Sequence, residues 1–535
     1  MPSPNGSTPV DLLQEEAPDA RVTSLLWGPY WTPGAPSGAH LTYSFHTANS
    51  VYATDYSRSQ EPGDAFSLTP AQEAAAKSAL DAWSAVANIT FTQVEDTATN
   101  VGDIRFGGFK GLVGKEMGQA YAPGDVARSG DVWIGPDVTS SPVKGSLSYM
   151  TFIHEMGHAL GLKHPFEESQ YNDVLLDPKY EDASYTLMSY TNDYSYLPTT
   201  PMLLDVLTMQ YLYGANMSYH AGNDVYKWAP GQSVFETIWD AGGKDTIDAS
   251  NQEASVRINL NEGEFSKIGK AFLDYNKTPD SPTVMDSGLA IAYGAHIENA
   301  IGSAFDDTLI GNDLDNVLDG RGGRDTLIGG KGNDTYIVDQ ADEIPLLKEL
   351  ADQGTDTLKV MYSNTSSSAA VIDLSTGTLA NFENVHLKGE GAFNVLGNDR
   401  KNTLTGNDAN NILNGGAGND KLVGGLGTDT LIGGTGADRF VFNSVAEAGL
   451  GQTKDVIVDF NHSEGDKLSF LKLDANVATP NLDAFTFIGS ADFTGAGQLR
   501  FVDHVLSGNV NGDLKADFEI QLVGVNTLQA DDIAA

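Results

Sequence analysis

The sequence predicts an α+β domain built on a mixed sheet, followed by an all-β domain whose parallel strands coil into a roll. Two observations carry this division. His154, Glu155, His158, Gly161 and His164 fill every fixed position of H-E-x-x-H-x-x-G-x-x-H, a helix-borne metal motif. From Gly302 onward, glycines recur at a nine-residue period with an acid or amide at a constant offset, the mark of stacked β-coils. A third observation narrows the chemistry: the chain has no cysteine, which excludes a disulfide scaffold and a cysteine-rich structural zinc site.

Composition restricts the partners. Asp+Glu 72 against Lys+Arg 31 gives a formal net charge of -41, which argues against nucleic acid and towards cations, calcium first among them. No apolar run approaches membrane-spanning length, so no membrane insertion is expected. Met1 to Ser7 has neither the basic region nor the hydrophobic core of a conventional signal peptide. Either the chain is cytosolic, or it is exported by a route that reads another address.

Residues 1–20 are polar and proline-containing, and read as a flexible N-terminus or propeptide. The α+β domain is expected over 21–218. Leu41–Phe45 alternates like a strand, and Thr69, Pro70 and Gln72 combine an N-cap, a first-turn proline and a capping-box glutamine. The helix they open carries Leu80, Trp83, Val86 and Ala87 at helical spacing, one buried stripe. Ile89–Val94, Asp103–Phe106 and Asp131–Ile134 read as further strands, and Ala120–Ala122 as an edge strand. The metal-motif helix is expected to start near Ser146, and another to run from Met202 to Leu212 and close at Gly214.

On the motif helix His154 and His158 lie one turn apart on the same face, with Glu155 beside them. Gly161 can take a positive φ, so the helix can stop and the chain double back to bring His164 to the same cation, while Pro165 prevents the helix resuming. Three neutral imidazoles leave one position of a tetrahedral zinc open, the arrangement of a catalytic site. Glu155 is then placed to take a proton from water.

This segment resembles the metzincin clan of zinc endopeptidases, and within it the serralysin family. Tyr185–Tyr190 resembles the clan's methionine turn, which implies that Met188 lies beneath the histidines as an apolar floor and that Tyr190 can ligate zinc or swing to the reaction's oxyanion. The resemblance further makes Ala120–Ala122 the edge along which an extended peptide is laid, implying loose sequence preference. A zincin-like fold is thereby expected for the first domain.

The second domain is expected over 219–535. One repeat block, 302–337, opens nonapeptides at Gly302, Gly311, Gly320 and Gly329; another, 397–441, opens them at Gly397, Gly406, Gly415, Gly424 and Gly433. They match G-G-x-G-x-D-x-U-x, the calcium-binding repeat of RTX proteins. Glycines permit the turn, the aspartate offers hard oxygen, and the apolar eighth residue points inward: Leu309, Leu318, Leu327, Tyr336, Leu404, Leu413, Leu422, Leu431 and Phe440. So short a coil cannot bury enough alone, and the aligned carboxylates need a cation between turns.

By resemblance, calcium ligands are Gly330, Gly332 and Asp334; Gly416, Gly418 and Asp420; Gly425, Gly427 and Asp429; and Gly434, Gly436 and Asp438, with Asp307 and the pair Gly323 and Asp325 matching less completely. Asn316, Asn402 and Asn411 replace the acid in their units. Upstream, Asp240, Gly242, Gly243, Asp245 and Glu298 lie in serralysin-like segments and are further candidates. The insert 339–396 between the blocks departs from the family pattern and is expected to extend the roll laterally. A C-terminal β module occupies 442–535, with Asn509–Leu514 read as a turn, and Asp531–Ala535 resembles the uncleaved address of type I export.

Together these features imply a secreted extracellular zinc endopeptidase of broad specificity, monomeric, with one catalytic zinc and several structural calcium ions. Protein or peptide substrates and a type I secretion apparatus are its expected partners, a proteinaceous inhibitor is a further candidate, and no nucleic acid is expected. The alternatives are a catalytically inactive, calcium-dependent RTX surface or adhesive protein, and a cytosolic protease.

Overall fold

The computed structural model describes residues 10–13, 17–32, 38–54, 56, 61–114, 116–276 and 278–534. Most of the stretch expected to be a flexible N-terminus therefore lies outside the described residues, although Val10–Leu12 forms a strand paired antiparallel with Pro29–Trp31. The chain divides into two compact units, Met1–Ile297 and Glu298–Ala535.

In the first unit, strands β1 (Ala39–Phe45), β2 (Ile89–Gln93), β3 (Ile104–Phe109), β4 (Gly118–Ala120) and β5 (Asp131–Ile134) form a sheet in the order β2-β1-β3-β5-β4. These neighbours run parallel except β4, which pairs antiparallel with β5 at the edge; a sixth, two-residue strand, Ala65–Phe66, pairs antiparallel with β3. The edge strand thus sits two residues earlier than its sequence pattern suggests. Helix α1 (Pro70–Val86) begins with the full capping box: Thr69 accepts from the Gln72 amide while Gln72 accepts from the Thr69 amide. Its Trp83 is fully buried and donates from Nε1 to the Ile153 carbonyl at 3.1 Å, tying α1 to helix α2 (Leu147–Ala159). Helix α2 is capped by Ser146 and is buried on every face from Ser148 onward, which explains why its sequence carries no polar stripe.

The composition shift near residue 218 does not coincide with the edge of the compact unit. After helix α3 (Leu203–Tyr213), Glu236–Ile238 pairs with Leu289–Ile291, which pairs with Phe265–Ser266, and this small sheet is bonded back to the chain before α3. The Thr199 amide donates to Phe235 O at 3.0 Å and the Ser195 amide to Leu273 O at 2.9 Å. These hydrogen bonds hold 219–297 in the first unit.

The second unit is a roll whose strands fall in a short sheet, in which Thr308–Ile310 pairs with Thr326–Ile328, and two long ones. In one, a single inward position runs through Leu318, Tyr336, Leu358, Val385, Leu404, Leu422, Phe440 and Leu468, every neighbour parallel and in register. In the other, Ile372, Val395, Leu413, Leu431 and Ile457 do the same, continued by an antiparallel meander through Phe518–Leu522, Val505–Asn509 and Gln498–Val502. All of these inward residues are buried, because each coil's apolar side chain can be removed from water only by the coils above and below it.

The insert does not extend the roll laterally. Its strands Thr357–Val360 and Asn384–Leu387 join the first sheet and Ala370–Asp373 and Phe393–Leu396 the second, so the insert adds coils along the stacking direction, between the two repeat blocks. Leu358 and Val385 fill the inward position that the nonapeptides fill with Leu, and that shared position fixes the register. Replacing the buried Leu358 by Ala is expected to cost about 2–5 kcal/mol, and Leu350→Ala, at a side chain 66% exposed, less than about 0.5 kcal/mol. Urea unfolding of the second unit in calcium-containing buffer checks the contrast; equal effects would mean that the insert is not part of the packed stack.

Candidate metal centre

The carboxyl end of α2 turns sharply. The Leu162 amide reaches back to Gly157 O at 2.9 Å and the Gly161 amide to His158 O at 3.0 Å, with Gly161 at φ +111°, so the chain leaves the helix through a left-handed residue. An N-terminal segment holds the reversed strand in place: the Trp27 amide donates to Gly161 O at 2.8 Å and the Lys163 amide to Leu25 O at 2.8 Å. The loop beyond is drawn in by the buried Lys163, whose ammonium donates to the carbonyls of Glu167 at 2.6 Å and Val174 at 3.0 Å. His164 is thereby returned to His154 and His158.

Each ring is oriented from behind. His154 Nδ1 faces Leu187 O at 2.7 Å, His158 Nδ1 faces Leu162 O at 2.9 Å, and His164 Nδ1 faces Glu167 Oε2 at 2.9 Å. An acceptor at Nδ1 places the ring hydrogen there and leaves the Nε2 lone pair outward. The three Nε2 atoms converge: His158 and His164 at 3.1 Å, His164 and His154 at 3.3 Å. Burial lowers the pKa of His154 to about 4 and that of His158 well below the usual imidazole value, so both are neutral near pH 7. Three imidazole nitrogens facing one another with lone pairs forward fit a zinc ion, the borderline cation that imidazole prefers.

Behind His154 the Leu187 carbonyl is itself fixed by Asp205, a fully buried acid on the first turn of α3. Asp205 accepts from Leu187 N at 2.8 Å, Thr186 Oγ1 at 2.6 Å and Met202 N at 2.9 Å. Burial raises its pKa to about 6 against the pull of those donors. Sequence reasoning passed over this residue; its only trace is an acid in the first turn of a predicted helix. Met188 is fully buried on Gly157, where an added Cβ would stand 2.8 Å from the thioether sulfur, so only glycine lets the methionine turn approach the helix this closely.

Glu155 is 6% exposed, and its Oε2 is buried with no hydrogen-bond partner. Burial, reinforced by Glu116, raises its pKa to about 8. It lines a cavity of about 250 Å³ with His154, Met150, Leu147, Gly118 and Tyr190. The edge strand runs directly against it: a Cβ on Gly118 would lie 2.6 Å from Glu155 Oε1. Tyr190 stands exposed at the mouth, its ring 4.5 Å from that of His164, and Phe166, which sequence reasoning missed, stacks on His164 at 5.2 Å and packs against Tyr190 at 5.0 Å.

The candidate calcium ligands occupy a ladder. Asp325, Asp334, Asp420, Asp429 and Asp438 each accept a backbone amide from an earlier coil through Oδ1, at 2.7–2.8 Å, and each keeps Oδ2 buried without a partner. Asp307 is 2% exposed and accepts from the Ser303 amide and hydroxyl. Gly323, Gly330, Gly332, Gly416, Gly418, Gly425, Gly427, Gly434 and Gly436 all lie at positive φ, and at Gly436 a Cβ would fall 1.6 Å from the Gly418 carbonyl of the neighbouring turn. Asn316, Asn402 and Asn411 satisfy themselves: each Oδ1 accepts an amide four residues earlier and each Nδ2 donates to a carbonyl. Asp356, Glu383, Asp455 and Asp466 extend the ladder outside the nonapeptide pattern, which is why that pattern does not reveal them.

In the first unit Asp240 and Asp245 are buried beside Asp224, a third acid that the sequence reading lacked, and one carboxylate oxygen of each falls within 4.8 Å of the others. Gly242 and Gly243, at φ +132° and +152°, carry the turn between them. Glu298 opens the second unit, its carbonyl accepting from Asn316 Nδ2 at 3.0 Å.

Three family models match the chain. Residues 53–194 match the family model described as matrixin, 205–389 the model of the peptidase M10 serralysin C terminal, and 396–431 and 405–440 the RTX calcium-binding nonapeptide repeat. Among similar proteins, Serralysin C of Dickeya chrysanthemi is 37% identical over 265 residues, 44% of this chain and 52% of that protein. Serralysin A of the same species is 34% identical over 307 residues, covering 51% and 58%, and the serralysin of Proteus mirabilis is 30% identical over 323, covering 53% and 61%. The chain thus spans somewhat more than half the length of the curated relatives it matches.

The ladder makes a pH prediction for the calcium-free chain. Burial raises the pKa of Asp325 and Asp455 to about 8 and of Asp334 and Asp429 to about 7. Each group holds its proton more tightly folded than unfolded, so its contribution to stability is full below about pH 4 and is lost as pH rises to about 8. Far-UV circular dichroism in chelator should therefore show the roll lost between about pH 5 and about pH 9, and added calcium should abolish that loss. A calcium-free unfolding midpoint indifferent to pH would contradict it.

Proposed function

We propose that this chain, which joins a serralysin-type M10 peptidase domain to RTX calcium-binding repeats, is a secreted zinc endopeptidase of broad specificity whose roll is folded by calcium. The observation that carries the reading is the convergence of His154, His158 and His164 through Nε2 beside the unpartnered oxygen of Glu155. Zinc bound by the three imidazoles, with the Tyr190 phenol as a fourth candidate ligand, supplies a Lewis acid that polarises a peptide carbonyl and acidifies water.

The protein's own groups do the rest. Glu155, buried and with one oxygen free to accept, takes the proton of the attacking water and delivers it to the departing amine. Tyr190, exposed and hinged just past the methionine turn, donates its hydroxyl hydrogen to the oxyanion. An extended substrate adds to the edge strand at Gly118–Ala120 through backbone hydrogen bonds, which brings its scissile bond past Glu155 and demands little of its side chains. The peptidase function belongs to 21–218 and the calcium-dependent scaffold to 219–535, with calcium held by the ladder acids and glycines of both repeat blocks and by the Asp240 and Asp245 cluster.

Export by a type I apparatus that reads Asp531–Ala535 accounts for the acidic and then apolar C-terminus. Ile533–Ala534 pairs with Leu468–Ser469, so such an address is open only while the roll is unfolded, as it would be before meeting external calcium. A proteinaceous inhibitor seated against the same edge strand is a further candidate partner.

Glu155→Ala is expected to abolish casein hydrolysis while leaving zinc bound, and Tyr190→Phe to lower kcat about 10²–10³-fold with zinc content unchanged. Zinc analysis alongside the assay separates this from a decayed peptidase on a calcium scaffold: a zinc-replete, folded wild type without proteolytic activity would favour the latter. For export, deleting Asp531–Ala535 should keep the chain inside the producing cell, and undiminished release into the medium would remove the proposed address.

A further inference from the structure

The two repeat blocks are joined by coils that contain no nonapeptide, yet the first of these copies the nonapeptide turn. Gly354 lies on Gly332 as Gly436 lies on Gly418: in both pairs an added Cβ would fall 1.6 Å from the carbonyl oxygen below. The Gly332 amide donates to Gln353 O at 2.8 Å, as the Gly418 amide does to Thr435 O at 2.9 Å. Asp356 then accepts the Asp334 amide at 2.8 Å, across 22 residues, in the same way that Asp438 accepts the Asp420 amide at 2.8 Å across 18. The extra residues form a loop that brings in a third acid, Glu349, 7% exposed, which accepts from the Tyr336 hydroxyl at 2.6 Å.

We propose that Asp334, Glu349 and Asp356 form a calcium site at the junction of the first repeat block and the insert, with two of its three carboxylates supplied by the insert. One oxygen of each residue falls within 4.8 Å of the others. Calcium–oxygen bonds of about 2.4 Å let two ligands of one ion stand up to about 4.8 Å apart, so the three can share an ion. The second oxygen of Asp334, a side chain 1% exposed, is buried without a hydrogen-bond partner, and none of the ion pairs among the described residues reaches the three acids. Three hard anionic oxygens in a turn of irregular spacing suit calcium, which tolerates variable coordination, over magnesium or zinc.

The next rung marks where this arrangement stops. Glu383 accepts the Asp356 amide through Oε2 at 2.8 Å, and its Oε1 takes Arg400 Nη1 at 2.7 Å. There an arginine of the chain neutralises the acid, while at Asp334 no side chain does. The site would anchor the insert to the block before it, so that the insert's first coil orders only when calcium is present.

The inference rests on the calcium reading of the repeats and is independent of the zinc reading. Equilibrium dialysis of the full chain should find one calcium ion fewer per chain in Glu349→Gln/Asp356→Asn than in wild type. Terbium in place of calcium adds a local readout, because the Tyr336 phenol touches a ligand: emission excited through tyrosine should fall in Tyr336→Phe while the calcium count stays that of wild type. An unchanged count in the double variant overturns the site. Should the double variant not fold, Glu349→Gln alone is titrated with terbium; loss of the Tyr336-dependent emission supports the site and its retention overturns it. A wild-type chain that takes up no calcium would instead defeat the reading of the whole roll.

Discussion

Lone pairs turned towards one another with no hydrogen between them repel, and only a cation reconciles them. That constraint acts twice in this chain. In the first unit three imidazoles present Nε2 to a common point because carbonyl and carboxylate acceptors have claimed each Nδ1. In the second, carboxylates on successive coils of the roll each keep one buried oxygen without a donor. The chemistry of the ligand atoms separates the two metals: nitrogen for zinc, oxygen for calcium.

The zinc centre depends on parts of the chain far from its motif. Asp205 reaches it through Leu187 O, and the segment around Leu25 and Trp27 holds the turn at Gly161 and Lys163 from the other side. The resulting cavity is open at Tyr190 and closed at Glu155, so the acid is desolvated while the mouth stays exposed. A desolvated carboxylate holds a proton more tightly than one in water, which is why the Glu155 pKa is raised.

In the roll, the spacing between rungs matters less than the position each rung occupies. Nonapeptide coils keep partners 18 residues apart, whereas the insert uses 22 and 27, and the ladder of amide-to-carboxylate hydrogen bonds crosses all of them. Extra residues leave as surface excursions, and the inward apolar position and the acid two residues before it return to register. Arg400 against Glu383 shows the same requirement for positive charge met from within the chain.

What the sequence by itself determined is whatever local spacing encodes: the two histidines one turn apart, the glycine that ends their helix, the capping box at Thr69, and the nine-residue register with its inward Leu positions. A helix period or a coil period brings those residues together wherever the chain goes. Only the tertiary structure decided that Asp205 braces the methionine turn, that Asp224 joins Asp240 and Asp245, that 219–297 packs in the first unit, and that the insert continues the stack with Asp356 and Glu383 as rungs. Those relations link residues at irregular separations, so no period records them; they exist because a buried polar group must find its partner in space.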